Sequence, residues 1–397
     1  MKGLLENSVL NDAMTDIETL GVSVSAQPLP GAKAYAVVGG RANARWWLIP
    51  LTNREVAFSG FALFQPLLTS ARIMKLAVGV LSQLGLNRLW VRQRLYIAGE
   101  SDLGRYFTDL LQPSYAYFTG TNSPHRKVAV QVMDQDGRIH GFAKLGRGQE
   151  VSALMAHEAV ILQQVQMLNL KTAYVPKLLF AGQHNGAYCF VTDTLKTPQT
   201  RSVTNFGKAH LAFLQELAEH TAQPTRTASD VASAFFTRVD RLQGQLQPDW
   251  LARLQAAVTA LHTYGDLPLP QCLSHGDFTP WNTFLAKGRL YVFDWEYAEE
   301  SASPGNDIVH FVLNQPQHRS DTPAQKVATS LAALKEHLVG LKPAATPALL
   351  LVYLLTNALR QVERLPAELR QANQWDDVEA QAGMLDKMLA ATIEASR

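Results

Sequence analysis

The sequence predicts an α+β protein with two lobes, a β-rich lobe followed by a helical lobe, and an extra N-terminal region of mixed α/β character in front of them. Three observations support this class. Strand-like runs separated by turns dominate residues 106–196, Leu- and Ala-rich helical stretches dominate residues 197–397, and residues 1–105 show both patterns. Strands grouped before helices are typical of α+β folds rather than alternating α/β folds.

Composition supports a folded protein without a strongly charged partner. Of the 397 residues, 47% are hydrophobic and 18% are charged, which is enough apolar content for large cores. Lys and Arg total 36 against 34 Asp and Glu, so no global field would hold nucleic acid or an acidic membrane surface. No apolar run reaches the roughly 20 residues of a bilayer span. We therefore expect no nucleic-acid partner and no membrane span.

The cysteines and the start of the chain bear on location. Cys189 and Cys272 each lie in an apolar stretch, so we expect buried free thiols rather than a disulfide or a metal pair. Residues 1–7 lack the apolar core and small-residue cleavage site of a secretory signal. Both observations favour a cytoplasmic protein.

The N-terminal region carries no motif with a recognisable chemistry. Its apolar periodicity nevertheless predicts secondary structure. The predicted elements are helices over residues 4–20 and 67–84 and strands over residues 34–38, 46–51 and 56–64. The sequence assigns this region no role.

The β-rich lobe is predicted from its hairpins and one embedded helix. Alternating valines, at Val128, Val130 and Val132, lead into a turn at residues 134–137 and a returning strand over 139–145. Apolar residues at helical spacing then predict a helix over 150–168. Two further strands are expected over residues 177–181 and 188–192.

The helical lobe is interrupted once, by a β segment. Helices are predicted over residues 202–219, 230–246 and 250–261 and again from residue 307 onward. Between them a loop at residues 273–282 leads into a hairpin in which residues 283–285 pair with residues 290–293 across a turn.

That hairpin brings three oxygen-bearing side chains to its open end. Asn282 precedes the first strand and Asp294 follows the second, so both can supply oxygen ligands to one hard cation. Asp277, on a loop bent by Gly276 and Pro280, can accept a hydroxyl proton. Phosphoryl transfer requires metal ions and a base that orients the hydroxyl. The spacing therefore predicts a kinase, although an ordinary polar turn is the alternative.

The same stretch carries a family resemblance. His-Gly-Asp at residues 275–277, followed by Asn282 and by Asp-Trp-Glu at residues 294–296, resembles the catalytic signature of the aminoglycoside phosphotransferase and choline kinase family. The fold of that family is similar to the fold of protein kinases. The resemblance therefore implies a two-lobed protein-kinase-like fold, with ATP and Mg²⁺ as cofactors.

The resemblance also assigns a role to each residue of the signature. Asp277 would be the catalytic base, Asn282 and Asp294 the magnesium ligands, and His275 a structural support of the loop. Asp307 lies in a segment where the family places an Asp that buttresses the catalytic loop. It could equally be the N-cap of the helix that follows.

A two-lobed kinase also needs a lysine on the third strand of its β-rich lobe and a glutamate on the next helix. Lys144 ends the strand predicted over 139–145, and Glu158 lies on the following helix. An ammonium in an apolar strand is costly without a partner, and the pair would clamp the α and β phosphates of a nucleotide. A surface lysine with a solvated glutamate is the alternative, and Glu150 competes with Glu158 as the partner.

The segments that would cover the phosphates and read the base are less distinctive. No Gly-x-Gly-x-x-Gly precedes Lys144 and no P-loop motif occurs in the chain. The expected hairpin has a polar turn whose backbone amides could contact phosphate or bind nothing, formed by Gly120, Thr121, Asn122 and Ser123. The linker between the lobes, which includes Val191 and Asp193, would read the nucleotide base.

We therefore expect a small-molecule kinase that transfers the γ-phosphate of ATP to a hydroxyl of a sugar, an aminoglycoside or an amino alcohol. An amino alcohol would need an aromatic cage, for which Trp295, Tyr297 and Trp375 are candidates. A protein kinase is disfavoured because only 13 residues separate Asp294 from Asp307, which leaves no room for a long activation segment. A catalytically silent kinase-like protein is the alternative from another class.

Overall fold

The structure is a computed structural model that describes residues 8–40, 44–63, 69–86, 89–108, 110–338, 342, 345–375 and 377–395. Its elements confirm the α+β class. The strands are β1 (Ser23–Ser25), β2 (Lys33–Gly40), β3 (Arg45–Pro50), β4 (Arg94–Ala98), β5 (Ser114–Phe118), β6 (Val128–Met133), β7 (Ile139–Gly146), β8 (Ala173–Tyr174), β9 (Leu178–His184), β10 (Ala187–Asp193), β11 (Gln223–Thr227), β12 (Pro268–Ser274), β13 (Thr283–Ala286), β14 (Arg289–Val292) and β15 (Glu299–Ala302).

In the described part of the chain, most helices lie after β8 and few lie before it. They are α1 (Ser8–Glu18), α2 (Arg54–Gly60), α3 (Thr69–Gln83), α4 (Gln149–Met167), α5 (Lys208–His220), α6 (Ala228–Asp240), α7 (Pro248–His262), α8 (Gly305–Leu313), α9 (Pro323–His337), α10 (Ala345–Glu363), α11 (Ala367–Gln371) and α12 (Val378–Ala395). None of the described helices is long and apolar enough to cross a membrane.

The chain forms two compact units. Unit one comprises Met1–Asn169, Tyr174–Arg201 and Phe284–Glu296, and unit two comprises Leu170–Ala173, Ser202–Thr283 and Tyr297–Arg397. The hairpin β13–β14, predicted as part of the helical lobe, therefore belongs almost entirely to unit one.

Unit one is built on a nine-stranded sheet in the order β1-β4-β2-β3-β5-β6-β7-β10-β9. The N-terminal strands join the sheet at β5, where Trp47 of β3 pairs with Phe118 and Leu48 pairs with Tyr117. The N-terminal region predicted over 1–105 and the β-rich lobe predicted over 106–196 thus share one sheet. Pairing with β3 satisfies backbone groups of β5 that would otherwise form an exposed edge.

Two element predictions are wrong. The helical lobe is interrupted a second time, by β11 between α5 and α6. The strand predicted over residues 56–64 is instead the helix α2 followed by a 3₁₀ turn at Phe61–Leu63, and residue 64 lies outside the described residues. Asn53 caps the helix, because its Oδ1 accepts a hydrogen bond from the backbone N of Val56 at 2.8 Å. The helices predicted over 4–20 and 67–84 are α1 and α3, and their first predicted residues, 4–7 and 67–68, lie outside the described residues.

Unit two has a helical core. Buried leucines of α10 pack with α6, α7 and α12, as the uniformly buried run at residues 348–355 shows. Both cysteines are buried and free, as predicted. Burial raises the pKa of each thiol to about 12, so neither is a ready nucleophile.

Candidate active site

Lys144 lies on β7, where every second side chain points into the sheet core. Ala143 and Leu145 are buried, and Lys144 therefore points to the opposite face. That face also presents Phe190 of β10, whose ring centroid lies 5.6 Å from the Lys144 ammonium. The two-residue repeat of the strand thus places the Lys144 ammonium on this face, beside the Phe190 ring.

Glu158 is the partner of Lys144. The Lys144 Nζ lies 2.8 Å from Glu158 Oε1 and 2.7 Å from Oε2, and Glu158 is only 2% exposed. Glu150, the competing candidate, lies in the first turn of α4 and is exposed. Eight residues correspond to about two helical turns, so both carboxylates share a side of the helix and only the deeper one reaches the strand.

Asp294 binds the same ammonium. Its Oδ1 lies 2.5 Å from Lys144 Nζ, across 150 positions of sequence. Asp294 follows the strand β14 with a φ of +73°. Asp tolerates this left-handed region better than most residues, and strained backbone of this kind clusters at functional sites.

Two further charged residues complete the cluster, Glu296 of the Asp-Trp-Glu motif and Lys127, and the sequence assigned a role to neither. Glu296 Oε2 lies 3.7 Å from Lys144 and forms an ion pair with Lys127. Carboxylate oxygens of Glu158, Asp294 and Glu296 lie within 4.8 Å of one another. In the sequence, the position of Glu296 two residues after Asp294 was the one sign that it could join the cluster.

Burial and charge shift the titration of this cluster. Burial alone would lower the pKa of Lys144, but the charges of Asp294, Glu158 and Glu296 outweigh it and raise that pKa well above its usual value. Burial raises the pKa of Glu158 to about 7, and the charges of Asp294 and Glu296 add to this against the opposing effect of Lys144. Lys144 is therefore a permanent cation among three carboxylates.

In unit two, Asp307 holds the loop that carries Asp277. Its Oδ2 accepts from the His275 backbone N at 2.7 Å and its Oδ1 accepts from the Gly276 backbone N at 3.0 Å. The N-cap alternative is wrong, because α8 begins at Gly305 and its N-cap is Pro304. Asp307 therefore binds two successive backbone N–H groups of the loop.

The loop turns at a glycine that no other residue can replace without displacing the backbone. Gly276 has a φ of +77°, and a Cβ there would lie 1.9 Å from the carbonyl oxygen of Tyr297. The Gly276 carbonyl in turn accepts from the guanidinium of Arg360. His275 is fully buried, and its Nδ1 accepts from the Asp277 backbone N at 3.3 Å. His275 thus supports the loop from inside.

The Asp277 carboxylate is held on both oxygens. Oδ2 accepts from Asn282 Nδ2 at 2.8 Å, and the same Nδ2 lies 3.0 Å from the Asp277 carbonyl. Oδ1 lies 3.0 Å from His310 Nε2, whose Nδ1 lies 3.2 Å from the Tyr353 hydroxyl. A carboxylate can only accept, so His310 donates from Nε2 to Asp277.

His310 was not identified from the sequence. It follows Asp307 by three residues on α8, and residues at this spacing lie on one face of a helix. Given that Asp307 faces the loop, the spacing itself is the signal that His310 faces it too. Arg360 and Tyr353 lie on α10 and had no such signal.

The proposed phosphate-covering turn and linker are placed as follows. Gly120 has a φ of +82°, and a Cβ there would lie 2.3 Å from the Lys127 carbonyl oxygen, while residues 121–123 are exposed. Val191 is buried in the core, paired with Ala143 on one side and Phe180 on the other, so its backbone belongs to the sheet. Asp193 Oδ1 accepts from the Lys177 backbone N at 2.6 Å. The linker therefore begins after Asp193.

The candidates for an aromatic cage are engaged elsewhere. Trp295 is fully buried in unit one. In unit two, Tyr297 lies under two guanidinium groups, those of Arg364 at 4.4 Å and Arg360 at 5.5 Å, and the ring of Trp375 packs edge-on against another tryptophan at 4.9 Å. None of the three is positioned by its own unit to cage an ammonium.

Comparison with protein families places part of this chain beside a known family. The phosphotransferase enzyme family matches residues 128–325. This segment contains the signature residues and their supports in both units, which are Lys144, Glu158, His275, Asp277, Asn282, Asp294 and Asp307. A comparison with curated proteins finds no match.

Solved structures similar to this chain include two phosphotransferases and a choline kinase. A thermostable mutant of aminoglycoside phosphotransferase APH(4)-Ia, in a ternary complex with AMP-PNP and hygromycin B, shares 15% identity over 73% of this chain and 96% of that chain, with a TM-score of 0.47. The streptomycin-ATP-APH(2")-IIa ternary complex shares 13% identity over 75% and 97%, with a TM-score of 0.40. Choline kinase LicA from Streptococcus pneumoniae shares 12% identity over 66% and 89%, with a TM-score of 0.41.

Proposed function

Because residues 128–325 match the phosphotransferase enzyme family, we propose that this chain is a small-molecule kinase that transfers the γ-phosphate of ATP to a substrate hydroxyl. Asp277 is the catalytic base in this proposal. Asn282 and Asp294 are the magnesium ligands, and Lys144 with Glu158 binds the nucleotide phosphates.

One observation carries the proposal. Lys144 lies within hydrogen-bond distance of both Glu158 and Asp294, although 14 and 150 positions of sequence separate it from them. The resemblance assigns exactly these three residue types to the nucleotide and its metal, from motifs that are far apart in the chain. Their convergence on one point of unit one supports a phosphate-binding role over an incidental surface ion pair.

Lys144 contributes a fixed positive charge to the phosphate oxygens. Glu158 holds the ammonium with both carboxylate oxygens, which limits its orientation. The exposed amides of residues 121–123 are available to the phosphates, and the segment after Asp193 to the base. Val191 contributes through the core rather than through its backbone.

The donor set suits Mg²⁺. Asn282 uses Nδ2 to bind Asp277, so its Oδ1 is the atom that can ligate a cation, and Asp294 adds carboxylate oxygen. The three clustered carboxylates exceed the two ammonium groups that pair with them, Lys144 and Lys127. Bound Mg²⁺ supplies charge neutralisation on the phosphate oxygens.

Asp277 acts on the acceptor. Its carboxylate takes the proton of the hydroxyl while the hydroxyl oxygen bonds to the γ-phosphorus and the bond from that phosphorus to the ADP oxygen breaks. Asn282 and His310 hold the two carboxylate oxygens, so the base is oriented before the acceptor arrives. The positions of Trp295, Tyr297 and Trp375 support a sugar-like or aminoglycoside hydroxyl over an ammonium held in an aromatic cage.

An ATP-consumption screen over sugars, aminoglycosides and amino alcohols tests the proposal. The parent protein is compared with Asp277→Asn and with Asp266→Asn, which changes an exposed Asp of the same unit. We expect turnover with a hydroxyl acceptor that persists in Asp266→Asn and disappears in Asp277→Asn. Magnesium-dependent ATP binding without turnover on any acceptor would favour the catalytically silent alternative, and no ATP binding at all would reject both.

A further inference from the structure

The helix α1 of the N-terminal region is buried against the sheet that carries Lys144. Leu10, Ala13 and Ile17 of this helix belong to one apolar core with strand residues that include Val128 and Leu145. Asp16 lies on the same buried side and is only 1% exposed. A carboxylate in such a position requires partners, because an unpaired buried charge is strongly destabilising.

Two arginines are those partners. Arg126 Nη2 lies 2.6 Å from Asp16 Oδ2, and Arg147 donates from Nε to Asp16 Oδ1. Arg147 also donates from Nη2 to the backbone carbonyl of Asp12 at 3.4 Å. One carboxylate of α1 therefore binds two guanidinium groups, one on each of its oxygens.

Arg126 closes the proposed phosphate-covering turn. It lies three residues after Ser123, and its Nη1 donates to the carbonyl of Thr119, on the other side of the turn, at 3.2 Å. The N-terminal region holds that other side as well, because the backbone N of Thr119 donates to the Trp46 carbonyl at 3.0 Å and the Trp46 backbone N donates to Thr119 Oγ1 at 3.1 Å. Both ends of the turn are thus fastened to residues 1–105.

Arg147 lies in the connection between β7 and α4. Lys144 precedes it by three residues, and α4 begins two residues after it and carries Glu158. Gly148 is the N-cap of α4 with a φ of +93°, and a glycine has no side chain with which to cap the helix. The hydrogen bond from Arg147 to Asp16 ties the connection between β7 and α4 to the helix α1.

Lys127 links this network to the charged cluster. Neighbouring side chains in an extended segment point to opposite sides. Accordingly Arg126 binds Asp16 while Lys127 binds Glu296, which lies beside Lys144. A shift of Arg126 therefore moves the backbone from which Lys127 reaches the cluster.

We propose that Asp16 is a positioning residue for the nucleotide: through Arg126 and Arg147 it sets the phosphate-covering turn and the start of α4. The N-terminal region then has a role in phosphoryl transfer without touching the reacting atoms. This inference rests on the proposed kinase function, and its tests are chosen to separate the two.

Hydrogen exchange without nucleotide tests the inference independently of catalysis. Asp16→Asn removes the charge and keeps the shape, and Asp12→Asn is the matched control, an exposed Asp one turn earlier on the same helix. We expect faster exchange at residues 119–127 and 146–150 in Asp16→Asn and no change in Asp12→Asn. Unchanged exchange in both segments would overturn the inference even if the protein is a kinase.

Steady-state kinetics tests the functional part. In Asp16→Asn we expect the KM for ATP to rise about tenfold, the range seen when a supporting partner of a binding residue is lost, while the KM for the acceptor stays the same. Asp12→Asn should match the parent. Equal KM values for ATP in all three proteins would overturn the inference, and absence of ATP binding by the parent would overturn it together with the proposed function.

A triple variant separates positioning from stability. Asp16→Leu with Arg126→Met and Arg147→Met replaces the buried ion network by apolar side chains, which often restores or improves stability. We expect its Tm to recover towards that of the parent while the KM for ATP stays raised. Recovery of the KM together with the Tm would mean that Asp16 is merely structural and would overturn the inference.

Discussion

Asp294 and Asp277 are the same residue type in opposite surroundings. Asp294, in unit one, binds an ammonium and lies among other carboxylates. Asp277, in unit two, is held by an amide on one oxygen and an imidazole on the other, which orient it.

The surroundings of each aspartate suit it to a different task. A cluster with excess negative charge recruits a cation and holds it against phosphate, so Asp294 is suited to ligation. A carboxylate with one hydrogen-bond donor on each oxygen has a fixed direction, which is what a base that orients a hydroxyl requires, so Asp277 is suited to that proposed role. Variants of the two sites should therefore differ in whether they change turnover or nucleotide binding.

Removing the base should have the largest effect. Asp277→Asn keeps the shape of the side chain but cannot accept the hydroxyl proton, so we expect kcat to fall by about a thousandfold. The affinity for Mg-ATP should stay within a few-fold, measured by calorimetry. Equal turnover by variant and parent would reject the base assignment.

Removing the ligand should instead act on binding. Asp294→Ala should abolish the dependence of ATP affinity on Mg²⁺, with a loss of about 10- to 100-fold in Mg-ATP affinity. Calorimetry with and without Mg²⁺ measures this, and Asp136→Ala, an exposed Asp of the same unit, is the control. Titrations that keep their magnesium dependence would contradict the metal assignment.

Removing a residue that orients the proposed base should lower kcat less than removing the base itself. His310→Ala takes away the donor on Asp277 Oδ1, and we expect kcat to fall about tenfold with the KM for ATP unchanged. His310→Gln retains an N–H donor and should recover part of the loss. If Ala and Gln variants behave alike, the hydrogen bond has no part in orienting the base.

The smallest expected effect is a pH dependence in unit one. Burial raises the pKa of Glu158 to about 7, so this carboxylate takes up a proton and loses its charge as the pH falls through that value. The hold on Lys144 then weakens, and we expect Mg-ATP affinity to fall about threefold from pH 8 to pH 6. Glu158→Gln should bind weakly at every pH in this range. If the Mg-ATP affinity of the parent depends on pH as little as that of Glu158→Gln, protonation of Glu158 does not control nucleotide binding.

The site was predictable where its residues are close in sequence. Asp277 and Asn282 are five positions apart on one loop, and their contact follows from that spacing. The hairpin β13–β14 was predicted from its turn. Choosing Glu158 over Glu150 was not possible from sequence, because both carboxylates occur at helical spacing and only the depth of α4 against the sheet separates them.

The N-terminal region shows the reverse case. Its helix α2 was mistaken for a strand because a short apolar run fits both periods, and the Asn53 cap decides for the helix. Asp16 has no sequence signal at all, since an isolated Asp on an amphipathic helix is ordinarily solvated. Its importance depends on two arginines 110 and 131 positions away.

Composition, periodicity and one short signature were enough to predict the α+β class and a phosphotransferase, and to propose Asp277 as the base with Asn282 beside it, because each of these depends on residues that are neighbours along the chain. The contacts of Lys144 with Asp294 and Glu296, the imidazole on Asp277 and the hydrogen bonds that hold the phosphate-covering turn became visible only in the tertiary structure. Contacts between distant segments depend on how helices rotate against strands and on which strands pair, and neither is encoded in local spacing.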